Sequence, residues 1–321
     1  MFFRPPMLQK IGIRFIVAAI MVLALAPYVY GVEQIAGGTN SRQAKKQALN
    51  SIPYNQLTPE TRKKIASVVD NPSIYRRLPI TAIDVDPDMF LFLIRYPEVV
   101  VNIWQIMGVT QMNVERTGPF TLQSDDGVGA VSDVELIYGT NNQHIFYAEG
   151  KYSGPLLKRK LNGRAVMILQ TNYTTGPDGK PKSTNSLDVF VKVENATVNL
   201  IAKTLNPIVG PTADHNFVET LNFVQRLNET TEQNGVGVQR MSNRLTSIDT
   251  AVRQKFSQIA GAVYERTSGA TKTYAKPAVQ RSSYATPIQT YVPNNNKSAP
   301  SKSGIRKTGF FDFRNRAMFD R

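Results

Sequence analysis

The strongest constraint on this chain is a change of hydrophobic period, from helical to two and back again. Val134, Leu136 and Tyr138 alternate with Asp133, Glu135 and Ile137. His144, Phe146 and Ala148 alternate with Ile145, Tyr147 and Glu149, and residues 164–173 add Val166, Met167, Ile168 and Leu169. Leu187, Val189, Val191 and Val193 then face away from Asp188, Lys192 and Glu194. A period of two puts successive side chains on opposite faces of a strand. Asn141-Asn142 and Gly176-Pro177-Asp178-Gly179 supply turns between these runs. Turn-linked alternating strands predict an antiparallel sheet with one buried face.

Helical signals flank this block. Thr58-Pro59-Glu60 is a cap, a first-turn proline and an acid, and the helix it opens runs to about Asp70, where Asn71-Pro72 stops it. Asp86-Pro87-Asp88 repeats the signal and opens the apolar stretch Met89 to Met107, which Pro97 divides in two. A segment apolar on all sides is a buried one. After the sheet, Asn195 starts a short helix ending before Pro207, and Thr212 caps a longer one to about Gln233. In that helix Phe217, Leu221, Val224 and Leu227 share a face, and Asp214 and Glu219 suit its positive end. Gly235 and Gly237 break it. Met241, Leu245, Ile248, Val252, Phe256, Ile259 and Val263 follow at a mean spacing of about 3.67 residues, a narrow stripe for association with another helix or for packing on the domain.

The expected fold is therefore α+β: N-terminal helices, an antiparallel sheet of about four to six strands, long C-terminal helices and a disordered basic tail. The boundaries read as 1–31, a signal peptide; 32–53, a flexible spacer; 54–235, the globular domain; 236–266, a projecting or coiled-coil-like helix; and 267–321, the tail. Arg4, Lys10 and Arg14 precede the apolar run Phe15 to Ala26, and Val29-Tyr30-Gly31 offers a signal peptidase site. This predicts export to the periplasm or beyond, with cleavage after Gly31 or retention as an anchor. The apolar run is shorter than the roughly 20 residues that span a bilayer. The chain has no cysteine, so it relies on its core and has no thiol chemistry.

Of the net charge of +14, the first 31 residues contribute +3 and residues 265–321 contribute +8, leaving +3 for 32–264. Charge gathered in a tail, with a nearly balanced domain, points to an acidic envelope polymer or a membrane surface as partner and away from nucleic acid. No phosphate loop, dinucleotide fingerprint, nucleophile elbow or His-Glu-x-x-His motif is present. No metal or cofactor is expected. Asp84, Asp86 and Asp88 have the spacing of calcium-loop ligands, but Met89 and Arg95 stand where such a loop needs Gly and Glu, so a helix cap is the better account.

Of the two histidines, His144 is placed in the core or at its rim. His215, with Asp214, stands at a helix start, where free N–H groups can hold a ligand or anion. Lys158, Arg159, Lys160 and Arg164 form a basic patch, either a solvated turn or a docking surface. Asn172, Asn195 and Asn228 head glycosylation sequons.

The runs Leu187 to Asn195, Asn199 to Leu205 and Ala213 to Glu219 are similar to those of exported bacterial proteins of uncharacterised function, a likeness covering about residues 54–235. The order of helices, antiparallel sheet and long helix also resembles the helix-grip architecture of START-type lipid-binding domains. That resemblance implies a sheet wrapped around the 212–233 helix with an apolar cavity between them, although the apolar 89–107 segment could fill such a cavity. The two functional expectations are an exported, non-catalytic envelope interaction or structural protein, self-associating or pairing with a partner helix through 236–266, and a carrier of an apolar ligand. A hydrolase ranks third.

Overall fold

A computed structural model describes residues 32–153, 160–194, 197 and 208–268. Among the described residues nine strands and seven α-helices form an α+β fold. The elements run β1 (Glu33–Ala36), α1 (Arg42–Asn50), α2 (Pro59–Val69), β2 (Ile74–Arg77), β3 (Ile80–Asp84), α3 (Pro87–Arg95) and α4 (Pro97–Ile106). The sheet continues with β4 (Asn113–Arg116), β5 (Thr121–Asp125), β6 (Ala130–Gly139), β7 (Gln143–Tyr152), β8 (Leu161–Thr175) and β9 (Pro181–Val193). Helices α5 (Ala213–Gln233), α6 (Gly235–Ser242) and α7 (Thr250–Ser268) close the described chain.

The nine strands form one antiparallel sheet, larger than the four to six expected, in the order β1-β3-β9-β8-β7-β6-β5-β4, with β2 also on β9. Strands β2 and β3 are two halves of one neighbour of β9. Arg77 stands opposite Asp188, but Thr81 stands opposite Asn185, a slip of one residue. The slip falls at Pro79, which has no N–H to give the ladder. The β8–β9 hairpin turns at the predicted Gly-Pro-Asp-Gly, where Gly179 has φ +80° and the Asp178 carboxylate accepts from the Lys180 N–H.

Both faces of the sheet are covered, where the alternation predicted one. Ala148, Ala165, Met167, Leu169, Leu187, Val189 and Val191 pack against α3 to α7. Ile145, Val166, Ile168 and Phe190, on the opposite face, pack against α1 and α2. Residues 32–53, expected as a flexible spacer, supply β1 and α1. Ser41 caps α1, accepting from the Ala44 N–H, and Ala44, Ala48 and Ile52 are buried at intervals of four, one helical stripe.

The proline signals behave as their chemistry requires. Thr58 caps α2, and Asp86 caps α3 by accepting from the Asp88 and Met89 N–H groups. The α3–α4 pair bends by 87° at Pro97 and lies inside the core. Among the described residues no single helix is long and apolar enough to cross a membrane. Thr212, expected to cap α5, makes no side-chain cap bond; the helix is entered through the turn Ile208–Thr212.

Candidate functional site

The expected association stripe is an interior surface. It breaks between α6 and α7, and Leu245, Ile248, Phe256, Ile259 and Val263 are buried in the main core. Met241 and Val252 are partly buried against the same cluster. Phe256, fully buried, stacks on Phe92 of α3 with centroids 5.8 Å apart. The two helices cross closely because a Cβ at Gly235 would fall on Tyr264. The 236–266 region is thus a helical hairpin folded onto the domain, because its apolar face finds α3 and α5 to cover.

Asp214 and His215 separate. Asp214, in the first turn of α5, accepts from the Arg76 Nε (2.7 Å) and also pairs with Nη2. The backbone at Gly38 closes over this ion pair so tightly that a Cβ there would meet both partners. The positive helix end and its carboxylate are already matched, and His215 is exposed. Arg164 pairs with Glu194 at 3.6 Å and Lys160 is exposed, while Lys158 and Arg159 lie outside the described residues. The Asn228 sequon is closed to glycosylation, since Asn228 is 2% exposed and bonds the Asp86 N–H and Glu232.

His144 is fully buried on the sheet face under α3. The Arg95 Nε donates to its Nε2 at 3.4 Å, which places the imidazole proton on Nδ1. Burial, then the Arg95 cation, pushes the His144 pKa down to about 3. Burial likewise holds the Tyr173 hydroxyl well above its usual range and lowers Arg95. Among the described residues neither His144 Nδ1 nor the Tyr173 hydroxyl has a hydrogen-bond partner. A histidine this hard to protonate is a poor general base at neutral pH. Aromatic rings pack nearby: Phe90 meets Tyr173 edge-on, and Trp104 meets Phe223.

A third region gathers the two ends of the described fold. The Val32 N–H donates to the Asn222 side chain of α5, and Glu33 pairs across to Ala82. Lys182 bridges Glu33 (3.3 Å) and Asp84 (3.8 Å). Two residues further along, Arg266 in the last turn of α7 reaches Asp86 at 2.7 Å and Asp88 at 3.6 Å. Thr267 donates to the Glu232 carbonyl. Burial raises the Asp88 and Glu232 carboxyls, and Arg266 and Lys180 oppose that rise. The acids once compared with calcium ligands are therefore a helix cap and the anchor of the last helical turn. Among the described residues no group of three or more His, Cys, Asp or Glu could hold a metal ion.

The sequence left no trace of this junction, because its members lie up to 190 residues apart. No protein-family model matches the chain, and no curated protein matches it.

Proposed function

We propose that this is an exported, non-catalytic envelope protein, a folded domain held at an acidic surface by the segments that leave it. The observation that carries this reading is that the two ends of the described fold lie side by side. Val32 and the last turn of α7 both lie beside the segment Ile83 to Asp88, so anything attached through either end holds the same side of the domain. The chain beyond residue 268 carries ten Lys/Arg against two acids, and its last dozen residues interleave Phe310, Phe311, Phe313 and Phe319 with Arg314, Arg316 and Arg321. Cations with aromatic rings suit an anionic interface.

The test is co-sedimentation of the full chain with phosphatidylglycerol vesicles, phosphatidylcholine vesicles and a soluble acidic polymer. Binding to an anionic partner should fall as salt rises. It should weaken when Arg306, Lys307, Arg314, Arg316 and Arg321 become Gln. Loss of vesicle binding on Phe→Ser substitution at 310, 311 and 313 marks a membrane; indifference marks a polymer. Binding unaffected by the Gln substitutions would refute the attachment, and a cytoplasmic location on cell fractionation would refute export.

The carrier reading draws on the element order, in which β2/β3, two helices, the meander β4 to β9 and the long α5 follow one another as in the helix-grip resemblance. Against it, α3 and α4 place rings on both the sheet and α5, Phe90 on Tyr173 and Trp104 on Phe223. Native mass spectrometry of protein from its host, with a bound lipid, would favour it.

A further inference from the structure

At one end of the sheet the helical layer formed by α1 and α2 stops short of the strands. On this face apolar residues line the sheet as far as Ile145, Ile168 and Phe190. The next row is polar throughout: Gln143 stands opposite Gln170, and Gln170 opposite Ser186. One further row outward, Asn172 stands opposite Thr184. These residues, with Ser51 at the end of α1, line an open groove of about 470 Å3. That volume is within the usual range for small-molecule sites, about 300–1,000 Å3.

The chemistry of the lining is narrow. Every residue that lines it carries an amide or a hydroxyl, and none is charged or aromatic. The frame is fixed from within, since the Gln143 amide donates to the Ser51 carbonyl (2.9 Å) and the Asn142 amide to the Thr171 carbonyl (3.0 Å). The remaining four, Gln170, Asn172, Thr184 and Ser186, lie on two adjacent rigid strands, and their amides and hydroxyls line the groove. Each such group both donates and accepts. A phosphate or carboxylate ligand would call for Arg or Lys, and a lipid for apolar walls. A sheet face also offers no free backbone ladder to an extended peptide.

We infer that this groove binds a neutral saccharide, its Gln170, Asn172, Thr184 and Ser186 side chains exchanging hydrogen bonds with sugar hydroxyls. The site lacks an aromatic platform, so a single unit binds weakly and a repeating polymer gains by engaging many copies of the protein. This assignment stands apart from the attachment through the tail: groove binding involves no charge and is insensitive to salt, whereas tail binding is not.

The experiment titrates the isotope-labelled full chain with maltohexaose, cellohexaose, xylohexaose and chitohexaose at high salt. The side-chain amide signals of Gln170 and Asn172 report binding. At least one sugar should shift them saturably, and Gln170→Leu or the near-isosteric Thr184→Val should each weaken that binding by about fivefold. Thermal melts guard against misfolding, because both positions are at the surface and should leave Tm within about 2 °C. If none of the four sugars shifts those amides, or if binding survives both substitutions unchanged, the assignment falls. Saturable shifts with a Ser/Asn-rich peptide and with no sugar overturn it as well.

Discussion

Phe256→Ala separates an interior helix from an associating one. Phe256 has no exposed surface, stacks on Phe92 and sits in the core formed by α3, α5, α7 and the sheet. Truncating a buried phenylalanine removes its transfer free energy and leaves a cavity, together about 3–5 kcal/mol. For a domain of this size each kcal/mol lowers Tm by about 2–4 °C, so the variant should melt roughly 6–20 °C lower. Val252→Ala, on the same helix but partly exposed, should cost about 1 kcal/mol or less. The assay is calorimetry of both variants, with light scattering to follow mass. If the stripe were a seam between chains, Phe256→Ala would dissociate an oligomer and leave the monomer's Tm nearly unchanged. A shift under about 2 °C accompanied by loss of mass would refute the packing described above.

Three further outcomes follow from buried polar groups and close contacts. Asp188 is fully buried and accepts from Tyr75 (2.7 Å) and from Arg77 Nε (2.9 Å) and Nη2 (3.0 Å), so Arg77→Ala strands its carboxylate and should cost about 3–5 kcal/mol in urea unfolding. His144 stays neutral in the fold down to pH about 3, while the unfolded chain takes a proton near 6.5. The unfolded state therefore binds more protons as pH falls through this window, and stability should drop by up to about 1.4 kcal/mol per pH unit, a slope that His144→Gln flattens in pH-dependent melts. Gly235→Ala places a methyl group on Tyr264 and should cost about 1–3 kcal/mol, read as a lower urea midpoint; an unchanged midpoint would mean the α6–α7 crossing is loose.

Legibility followed the length of each element. Strands β6 to β9, ten to fifteen residues long, carry enough alternation to be read directly. Strands β1 to β5 are four or five residues each, and all four residues of β1 are exposed. Such strands form because a neighbouring edge offers N–H and C=O groups, which side-chain pattern does not report. Helix α1 did leave a signal, Ser41 followed by Ala44, Ala48 and Ile52, but alanines spaced by four inside a Lys- and Gln-rich run look like a solvated segment. Asp188 alternates with valines, a pattern that places it on the solvent face. Its partners Tyr75 and Arg77 are more than 110 residues away, so nothing local marked it as buried. The spacing from Met241 to Val263 predicts one continuous helix, whereas the chain turns between Ser242 and Thr250 and buries most of the stripe in the core. Spacing alone cannot tell a seam from a core, because the difference lies in what stands opposite.

What stands opposite also decides where a ligand can go. A sheet crossed by a long helix leaves an interior that only side chains can fill. Here Pro87 and Pro97 fold an apolar stretch into two short helices at 87°, which brings Phe90 and Phe92 to Tyr173 and Phe256, and Trp104 to Phe223. That wedge stabilises the fold without a single disulfide. Polar atoms among these rings, His144 Nδ1, Trp104 Nε1 and the Tyr173 hydroxyl, have no hydrogen-bond partner among the described residues, and an apolar ligand there would have to displace packed rings. Displacing one such ring costs as much as truncating it, about 3–5 kcal/mol, which is a large share of the roughly 8 kcal/mol available to a micromolar ligand. Recognition at the surface carries no such penalty. The groove beside Gln170 is already open and its strands are already rigid, so a ligand there needs only to exchange water for hydroxyls.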